Sequence, residues 1–349
     1  MADHSSTRRD FLKVSSAAVA GAALTGSTAA AGDKPPARKI LNHNPKMGYR
    51  RLGKTELWIS EISLGGHGGK EVSDRVPVLE RAVELGMNYV DNNIAEECTL
   101  YGKAIGRNRD KWHIGFASWP EKLTSEYEQE LTKEGMFREI DARLKNYGTD
   151  MLDLWRPVGA TWGEGQKDQK TMWEVTPRVL DMVVDVFETV KKQGKVRFLG
   201  ISAHNPIVFR RVLNDYPQFS VILFPYMFLT QSFGGDSLLA LAREKDVGVI
   251  GIKPFAAGAT FVGGKPTPLE GRVDPRASSL LKGMLREQRI SAVIPGVTHH
   301  AQLDENVKAS YERDKPLTDK DRQAVRECTE SFHAHLPEQY QWLHDWKTV

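Results

Sequence analysis

The chain has 349 residues, a formal net charge of +3, and a composition that is 40% hydrophobic and 27% charged. These values are typical of a globular protein that buries a sizeable core, in one large domain or two. The small net charge is spread along the sequence, so we expect no nucleic-acid partner.

The first 31 residues depart from this average composition. An arginine pair at positions 8 and 9 is followed by Phe11 and by a weakly apolar run, rich in Ala and Gly, from Val14 to Ala31. The pattern resembles a twin-arginine export signal with a small-residue cleavage site near Ala31. It predicts a periplasmic or secreted protein whose partners include the twin-arginine export machinery. A disordered Ala-rich tail with a chance arginine pair is the alternative.

Residues 32–46 are polar and contain a Pro35-Pro36 pair, which predicts a linker between the signal and the folded domain. Beyond the linker, short apolar runs alternate with amphipathic stretches. The apolar runs predict eight strands at Ile59–Leu64, Asn88–Asn92, His113–Ser118, Met151–Arg156, Val196–Ser202, Ser220–Pro225, Val247–Lys253 and Ala292–Pro295. The amphipathic stretches predict helices at Val76–Leu85, Met136–Asn146, Pro177–Gln193, Ile207–Asp215, Asp236–Lys245 and Arg276–Glu287.

Eight short apolar strands that alternate with helices predict an α/β fold, a parallel (β/α)8 TIM barrel over residues 47–316. A doubly wound sheet is the alternative from the pattern alone, but no Gly-x-Gly-x-x-Gly motif follows the first strand. No internal repeat of shorter period is evident. We therefore expect one barrel domain, preceded by the linker and followed by an extension.

Two segments interrupt the alternation of strands and helices. Residues 159–173 form a long loop after the fourth strand, at the face where barrel enzymes carry their chemistry, and predict a lid or binding loop. Residues 317–349 predict a helix and then an aromatic-rich extension that folds back onto the barrel mouth or meets a protein partner. The two cysteines, Cys98 and Cys328, permit a disulfide in an oxidising compartment, and two separate thiols are the alternative.

Segments spread from about Met47 to Asn306 resemble, in the same order, the motifs of the aldo/keto reductases. The resemblance implies a barrel whose bottom is plugged by an N-terminal β-hairpin. The matching segments are Met47–Ser60 for that hairpin, Gly86–Gly106 for the second strand, Gly194–Asn205 for the fifth, Val249–Gly258 for the seventh, and Ala292–Gly296 with Glu305-Asn306 for the eighth strand and its helix.

The resemblance also implies hydride transfer between a nicotinamide and a carbonyl. In that family a tyrosine donates the proton, a lysine and a histidine tune its acidity, and an aspartate anchors the lysine. Asp91 matches the aspartate. By spacing, Glu96 stands at the tyrosine's place, whereas counting back from Gly106 puts Cys98 there. Tyr101 follows five residues after Glu96 and would reach the site through a rearranged loop.

The other two catalytic positions of the family also differ in this chain. Ser118 stands where the lysine is expected, at the end of the third strand. The histidine's place holds Trp155 when the Arg-Pro pair is aligned, or Val158 by direct count. The resemblance thus implies a degenerate tetrad with three roles unfilled. Glu96 with His204, which follows the fifth strand, is a hypothesis for a new acid/base pair.

The cofactor positions of the family are kept in part. Ser202 matches the residue that holds the nicotinamide amide, although its usual Asn neighbour is Ala203. Gln302 replaces the arginine that reads the 2′-phosphate, which removes a bidentate charge contact. The resemblance implies weak or absent NAD(P) binding, with little preference for NADPH. The implied cofactor residues are Ser202, Asn205, Pro295, Gly296, Gln302 and Asn306.

Polar residues follow several of the predicted strands and are expected at the barrel mouth. They include His67, Asp91, Glu96, His204 and Lys253. Two histidines and two carboxylates resemble a ligand set, but no short ligand spacing supports a metal site, and solvated loop residues are the favoured interpretation. We therefore predict no metal.

Two functions compete. The first is an exported aldo/keto reductase-like oxidoreductase, acting on a small carbonyl or sugar-type substrate with altered catalytic residues. The alternative is a non-catalytic barrel that serves as a ligand- or protein-binding module or accessory subunit. Loss of acid–base assistance, worth about 10²–10⁴ in rate, favours the alternative. Free nicotinamide pools are cytoplasmic, which favours it too, whereas the family resemblance favours the oxidoreductase.

Overall fold

The computed structural model describes residues 40–66, 71–93, 95–118, 132–157, 169–203, 206–227, 238–261, 273–338 and 341. The predicted export signal, most of the predicted linker and most of the predicted binding loop lie outside these residues. So do His67, Val158, His204 and Asn205.

Strands of the described residues form two sheets. A two-stranded antiparallel hairpin joins β1 (Tyr49–Arg51) to β2 (Trp58–Ser60). The second sheet is parallel, and its strands lie side by side in chain order. Its eight strands are β3 (Leu64–Gly65), β4 (Tyr89–Asn92), β5 (His113–Ser118), β6 (Leu152–Pro157), β7 (Val196–Ser202), β8 (Phe219–Pro225), β9 (Gly248–Ile252) and β10 (Ala292–Val293).

Helices connect the strands, and three more follow β10. The α-helices are α1 (Val72–Glu84), α2 (Ala95–Ile105), α3 (Lys133–Tyr147), α4 (Gln169–Lys192), α5 (Pro206–Asp215), α6 (Leu238–Glu244), α7 (Ala277–Met284), α8 (His300–Asn306), α9 (Lys308–Tyr311) and α10 (Asp319–His335). Short 3₁₀ helices lie at Gly106–Lys111 and Ala256–Gly258. Among the helices described, none has both the length and the apolar character that crossing a membrane requires.

The parallel sheet closes on itself between its first and last strands. The Ser63 amide donates to the Val293 carbonyl at 3.1 Å, and the Val293 amide donates to the Glu61 carbonyl at 2.9 Å. Further along, the Gly65 amide donates to the Pro295 carbonyl at 3.2 Å. Because these bonds join the two edges, the sheet is a barrel, and the predicted (β/α)8 fold is confirmed.

Side chains of alternate strand residues fill two separate cores, as the period of two requires. One set faces the helices in a large shared core. The other set consists of residues in or next to the strands and the hairpin, and it forms a separate cluster inside the barrel. This interior cluster consists of Leu52, Leu57, Ile59, Tyr89, Leu154, Val221, Leu223, Ile250, Ala292 and Ile294.

The N-terminal hairpin plugs the bottom of the barrel, as predicted. Leu52 and Ile59 are fully buried in the interior cluster. Gly53 pairs with Val247, immediately before β9, which places the hairpin at the end where the parallel strands begin. Gly53 has a φ of +51°, and a Cβ there would lie under 3.0 Å from the Gly248 amide nitrogen, so the contact requires glycine.

The bottom of the barrel also holds a buried carboxylate. Asp153, the second residue of β6, accepts from Arg197 Nη1 at 2.7 Å and Arg109 Nη2 at 3.1 Å. It also accepts from the Ile114 amide at 2.9 Å, and His113 Nδ1 lies 3.8 Å away. We call these groups the bottom cluster. The cations hold the pKa of Asp153 well below its usual value, although burial alone would raise it.

The predicted strand Ile59–Leu64 is split in the structure. Ile59 belongs to the hairpin and faces the interior cluster, whereas Leu64 belongs to β3 and faces the helices. Between them, Ser63 Oγ donates to the Ser60 carbonyl at 2.7 Å, which makes a tight local turn. The prediction was wrong here because an apolar run does not show where a chain changes sheets.

The described part of the C-terminal extension, which includes helix α10, folds back onto the barrel, and this is one of the two arrangements that the sequence predicted. Phe332 and Leu336 pack against Met227, which follows β8, and against Ala256 and Ala259, which follow β9. Ser331 Oγ also donates to the Ala259 carbonyl at 2.8 Å. The last turn of α10 therefore lies beside the end of the barrel where the parallel strands finish, which we call the mouth.

Candidate active site

A buried ion pair occupies the mouth of the barrel. Asp91, near the end of β4, accepts from Arg156 of β6 in a bidentate arrangement, through Nη2 to Oδ1 and through Nε to Oδ2 at 3.1 Å. The two side chains are only 3% and 5% exposed. A bidentate guanidinium–carboxylate pair is among the strongest side-chain interactions, and here it is almost closed to water.

Gly115 on β5 makes this pair possible. β5 lies between β4 and β6, and Gly115 is the register partner of both Asp91 and Leu154. A Cβ at Gly115 would lie less than 3.0 Å from Asp91 Oδ2 and from the Tyr89 hydroxyl. The missing side chain therefore leaves the space through which Arg156 reaches across the intervening strand.

Two hydroxyl groups complete what we call the Asp91 network, which consists of Asp91, Arg156, Tyr89 and Ser202. The Tyr89 hydroxyl donates to Asp91 Oδ2 at 2.7 Å, and Arg156 Nη1 donates to Ser202 Oγ at 2.8 Å. Ser202 ends β7, so the network spans four neighbouring strands. It links the predicted catalytic residue Asp91 to the predicted cofactor residue Ser202.

The network holds its protons firmly. Burial and the charge of Asp91 raise the pKa of Tyr89 well above its usual value of 10. Burial lowers the pKa of Arg156, the charge of Asp91 raises it, and the net effect is an increase. Tyr89 therefore stays neutral and Arg156 stays charged at physiological pH. A hydroxyl that resists ionisation is poorly matched to proton donation near neutrality.

Ser118, at the predicted position of the lysine, and Trp155, at the histidine's position when the Arg-Pro pair is aligned, face away from the Asp91 network. Trp155 packs in the large core shared with the helices, and its Nε1 donates to Ser118 Oγ at 2.8 Å. Both side chains are buried. The cation that pairs with Asp91 is thus Arg156 of β6 rather than a residue at position 118.

Helix α2 carries the residues predicted for the tyrosine's place. Glu96 is exposed on this helix and shares no hydrogen bond or ion pair with Asp91. The buried carboxylate is its neighbour Glu97, whose Oε2 accepts from the Asn93 amide at 2.9 Å and lies against Gly66. Helical periodicity turns residue 97 inward and residue 96 outward.

Cys98 and Tyr101 are fully buried on the same helix. Burial raises the pKa of the Cys98 thiol to about 12, and Cys98 and Cys328 are both free. The Tyr101 hydroxyl donates to the Gly65 carbonyl at 3.2 Å, and burial raises its pKa as well. Neither residue joins the Asp91 network.

The predicted adenosine-side residues follow β10, with Pro295 and Gly296 in the loop that leads into α8 and Gln302 and Asn306 in α8 itself. Gln302 turns back on this loop, and its Oε1 accepts from the Thr298 and His299 amides at 2.8 and 3.2 Å. Gly296 is exposed. Asn306 is buried, and within the described structure its Nδ2 has no hydrogen-bond partner. This orphaned donor could meet a ligand acceptor.

Arg75 of α1 fixes the shape of the same loop. Its side chain is fully buried, and it donates to the Val297 carbonyl at 2.9 Å and the Thr298 carbonyl at 2.8 Å. The guanidinium lies 6.0 Å from the centre of the Tyr101 ring. The loop after β10 is therefore held by Arg75 of α1 on one side and by Gln302 of α8 on the other.

The structure does not describe two of the predicted site residues, and it shows no metal-ligand cluster among the residues that it does describe. His204 and Asn205 lie outside the described residues, so the hypothesis of a Glu96–His204 pair stays a prediction. Within the described residues, no group of three or more His, Cys, Asp or Glu side chains is arranged to hold a metal ion.

Sequence reasoning missed three residues of the Asp91 network and its surroundings: Arg156, Tyr89 and Gly115. The signal that could have found Tyr89 and Arg156 is strand periodicity. Tyr89 and Asp91 are two apart on β4, and Leu154 and Arg156 are two apart on β6, so each pair shares the interior face. A charged residue on an interior face requires a partner of opposite charge there.

A model of the aldo/keto reductase family matches residues 61–272. The chain is 24% identical over 333 residues to the uncharacterized oxidoreductase YqkF of Bacillus subtilis (strain 168), which covers 83% of this chain and 99% of that protein. It is 23% identical over 298 residues to the L-galactose dehydrogenase of Arabidopsis thaliana, with 76% and 89% of the two chains covered.

The same fold is found among solved structures. The aldo-keto reductase AKR11C1 of Bacillus halodurans, in its holo form, matches with a TM-score of 0.62 and 22% sequence identity, over 84% of this chain and 99% of that chain. The family model covers more than half of the present sequence and includes β4, β6 and β7, which carry the Asp91 network. The chain therefore belongs to the aldo/keto reductase family.

Proposed function

We propose that this protein is an exported oxidoreductase that moves a hydride between a nicotinamide cofactor and a small carbonyl or sugar-type substrate, with catalytic residues that differ from the usual family set. The observation that carries the proposal is the buried Asp91–Arg156 pair at the mouth. Family membership supports the reaction class. The pair supports altered catalytic residues, because Asp91 anchors an arginine from β6 instead of a lysine.

The Asp91 network has a positioning role in this proposal. Asp91 fixes the Arg156 guanidinium, and Arg156 in turn holds the Ser202 oxygen at 2.8 Å. Because Ser202 accepts that bond through its oxygen, its own O–H can donate to an amide or carbonyl oxygen of a ligand. The permanent charge of Arg156 favours negative charge that develops on a nearby substrate oxygen.

Two described residues fit a nicotinamide dinucleotide. Ser202 offers a hydroxyl at the strand ends, and Asn306 offers an orphaned, buried amide beyond β10. When bound, the cofactor supplies or accepts the hydride. The inward turn of Gln302 leaves no charged group at that position for a 2′-phosphate, so we expect weak binding without a preference for NADPH over NADH.

The test is a titration of the purified protein with NADH and with NADPH, followed by the fluorescence of its 8 tryptophans. Saturable quenching by both cofactors at similar concentrations is expected, together with oxidation of NADH in the presence of a short aldose such as glyceraldehyde. If millimolar cofactor causes no saturable change and no aldehyde is reduced, the oxidoreductase proposal is refuted. A ligand-binding barrel would then replace it.

The export part of the proposal rests on the arginine pair at positions 8 and 9 and has its own test. Replacing both arginines by lysine should retain the protein in the cytoplasm, because the export machinery reads that pair as an address. Cell fractionation measures the outcome. An unchanged periplasmic yield would refute the signal and leave the reaction class untouched.

A further inference from the structure

Carbonyl reduction, if the proposed function is correct, requires a proton for the developing alkoxide. Two described hydroxyls near the strand ends are already committed as donors. The Tyr89 hydroxyl donates to Asp91 and the Tyr101 hydroxyl donates to the Gly65 carbonyl. Burial raises the pKa of both tyrosines. Neither is suited to give up a proton near neutral pH.

Two described carboxylates near the strand ends, those of Asp91 and Glu97, act as acceptors. Both oxygens of Asp91 accept hydrogen bonds from Arg156, and Oδ2 also accepts from Tyr89. Glu97 accepts from the Asn93 amide. Both carboxylates are therefore engaged as hydrogen-bond acceptors in the structure.

Lys253 lies directly after β9, at the same end of the barrel as Asp91 and Ser202. The Tyr226 amide donates to the Ile252 carbonyl at 2.9 Å, which ties this strand end to β8. The Ala256 amide donates to the Lys253 carbonyl at 3.0 Å, which closes a turn immediately beyond it. Ile252 packs against the interior cluster, so Lys253 begins where the barrel interior meets the mouth.

The backbone at Lys253 is strained. Its φ is +54°, in the left-handed region that glycine adopts readily and that side chains with a Cβ disfavour. Glycine would fit this turn better, yet the position holds a lysine whose side chain is half-buried. Strained conformations of this kind concentrate at functional sites, where the side chain is needed in one place.

We propose that Lys253 is the proton donor of this site. As the hydride forms a C–H bond at the carbonyl carbon, the electrons of the C=O double bond move to oxygen. The oxygen takes a proton from the Lys253 ammonium. The products are the alcohol, the neutral amine of Lys253 and the oxidised nicotinamide, and the amine regains its proton from water.

The environment of Lys253 suits this step. Burial lowers the pKa of the Lys253 amine from its usual value, because a low-dielectric setting disfavours the charged form. An ammonium with a lowered pKa gives up its proton more readily to an alkoxide near neutral pH. The shift has the direction that the role requires, opposite to that of the mouth tyrosines.

The kinetic test compares Lys253→Met and Lys253→Arg with the wild type, using NADH and glyceraldehyde. Lys253→Met should lower kcat by about 10²–10⁴ with little change in KM. Lys253→Arg should also lose activity, because a guanidinium keeps its proton. The matched control is Lys320→Met at the exposed start of α10, which should keep the wild-type rate. Thermal unfolding of each variant verifies that it is folded.

A second measurement needs neither cofactor nor turnover. Reductive methylation of the full chain is followed over a range of pH, and the modified lysines are quantified by peptide mass spectrometry. The pH midpoint for Lys253 should lie below that for the exposed Lys320. Midpoints are compared rather than rates, because burial slows the reagent without moving the midpoint. Equal midpoints would overturn the proposal.

The kinetic outcomes separate this assignment from the proposed function. If the wild type reduces glyceraldehyde and Lys253→Met keeps the rate within twofold, the assignment is overturned and the oxidoreductase stands. If His204→Gln instead causes the large loss, the donor is His204 and the assignment is again overturned. If the wild type turns over no carbonyl, the proposed function fails and the assignment fails with it.

Discussion

Two buried aspartates lie at opposite ends of this barrel, and their charged partners differ in number and in exposure to water. Asp153 at the bottom is surrounded by Arg109, Arg197 and His113, whose side chains are 24%, 25% and 16% exposed. Asp91 at the mouth pairs, within the part of the chain that the structure describes, with Arg156, whose side chain is 5% exposed. In the bottom cluster two partly exposed arginines, Arg109 and Arg197, share one carboxylate. At the mouth, a single ion pair is closed away from water.

The difference indicates what each end is for. Cations that keep contact with water avoid most of the desolvation cost, so the bottom cluster is an inexpensive way to anchor the starts of β5, β6 and β7. A fully buried pair gives little net stability, because desolvation offsets the attraction. What it does give is a fixed arrangement of charges and hydroxyls. In this family the mouth is the end at which such an arrangement is used.

The largest effect is expected when the mouth pair is broken. Arg156→Met leaves Asp91 buried without its cation, which should lower the free energy of unfolding by about 3–5 kcal/mol. Arg109→Met at the bottom removes one of the two arginines that pair with Asp153 and should cost only about 1 kcal/mol. Urea unfolding, followed by circular dichroism, measures both. Equal losses would contradict the contrast between the two ends.

A double variant sharpens the same comparison. Asp91→Leu combined with Arg156→Met removes both buried charges and should recover a large part of the loss, since apolar replacement of a buried pair is often neutral or better. A double variant as unstable as Arg156→Met would instead show that packing, and not the orphaned charge, causes the loss.

The next largest effect concerns the bottom cluster and pH. Because the pKa of Asp153 is depressed in the folded state, its contribution to stability is present above the unfolded value of about 3.9 and is lost as pH falls through the folded value. Asp153→Asn should therefore cost about 2–3 kcal/mol at pH 7. It should also flatten the loss of stability below about pH 4.

Unfolding free energies at a series of pH values from 7 downward test this prediction, with Asp304→Asn as the control. Asp304 pairs with Arg81 at the surface, where its side chain is 41% exposed. A salt bridge of that exposure contributes little, so this variant should follow the wild type throughout. If Asp153→Asn shows the same acid limb as the wild type, the depressed pKa is not what stabilises the bottom.

The third effect returns to the mouth and tests the space that Gly115 leaves. Gly115→Ala places a methyl group against Asp91 Oδ2 and the Tyr89 hydroxyl. Overpacking of this kind should cost about 2 kcal/mol. It should also lower activity by displacing Ser202 through Arg156. Gly148→Ala is a control of a different kind, because a Cβ meets nothing there within 4 Å and only the φ of +59° opposes it.

The fold was predictable from the sequence because the hydrophobic patterns of strands and helices recur along most of the chain. Eight apolar strand segments alternate with six amphipathic helical segments in the sequence, and β5 and β7 were predicted with the bounds that the structure shows. Single features, such as a break within an apolar run or one helix without an aliphatic stripe, were harder to predict. Ile59 and Leu64 belong to different sheets although one apolar run joins them, and α2 was missed because its inner face carries Glu97 and Cys98 rather than an aliphatic stripe.

The site was predictable only at residues that occupy a defined position in a family motif. Asp91 and Ser202 could be placed by their motifs, and the structure joins both in a single network through Arg156. Strand periodicity puts Arg156 on the interior face, but it does not identify Asp91 as its partner, because Asp91 lies 65 residues away and on the far side of β5. That pairing depends on Gly115 having no side chain. The spacing of motifs along the sequence places residues one motif at a time and carries no information on a pairing across β5.

The smallest effect is expected between the mouth strands and the helices, where Ser118 accepts a hydrogen bond from the Trp155 indole at 2.8 Å. Ser118→Ala removes that acceptor and leaves a buried N–H unpaired, which should cost about 1 kcal/mol. Because both side chains face the helices rather than the Asp91 network, cofactor binding and turnover should stay at the wild-type level. Ser118→Thr keeps the acceptor and is the matched control. A loss of activity in Ser118→Ala without a comparable loss of stability would place position 118 in the active site after all, and the separation of Ser118 and Trp155 from the network would then be wrong.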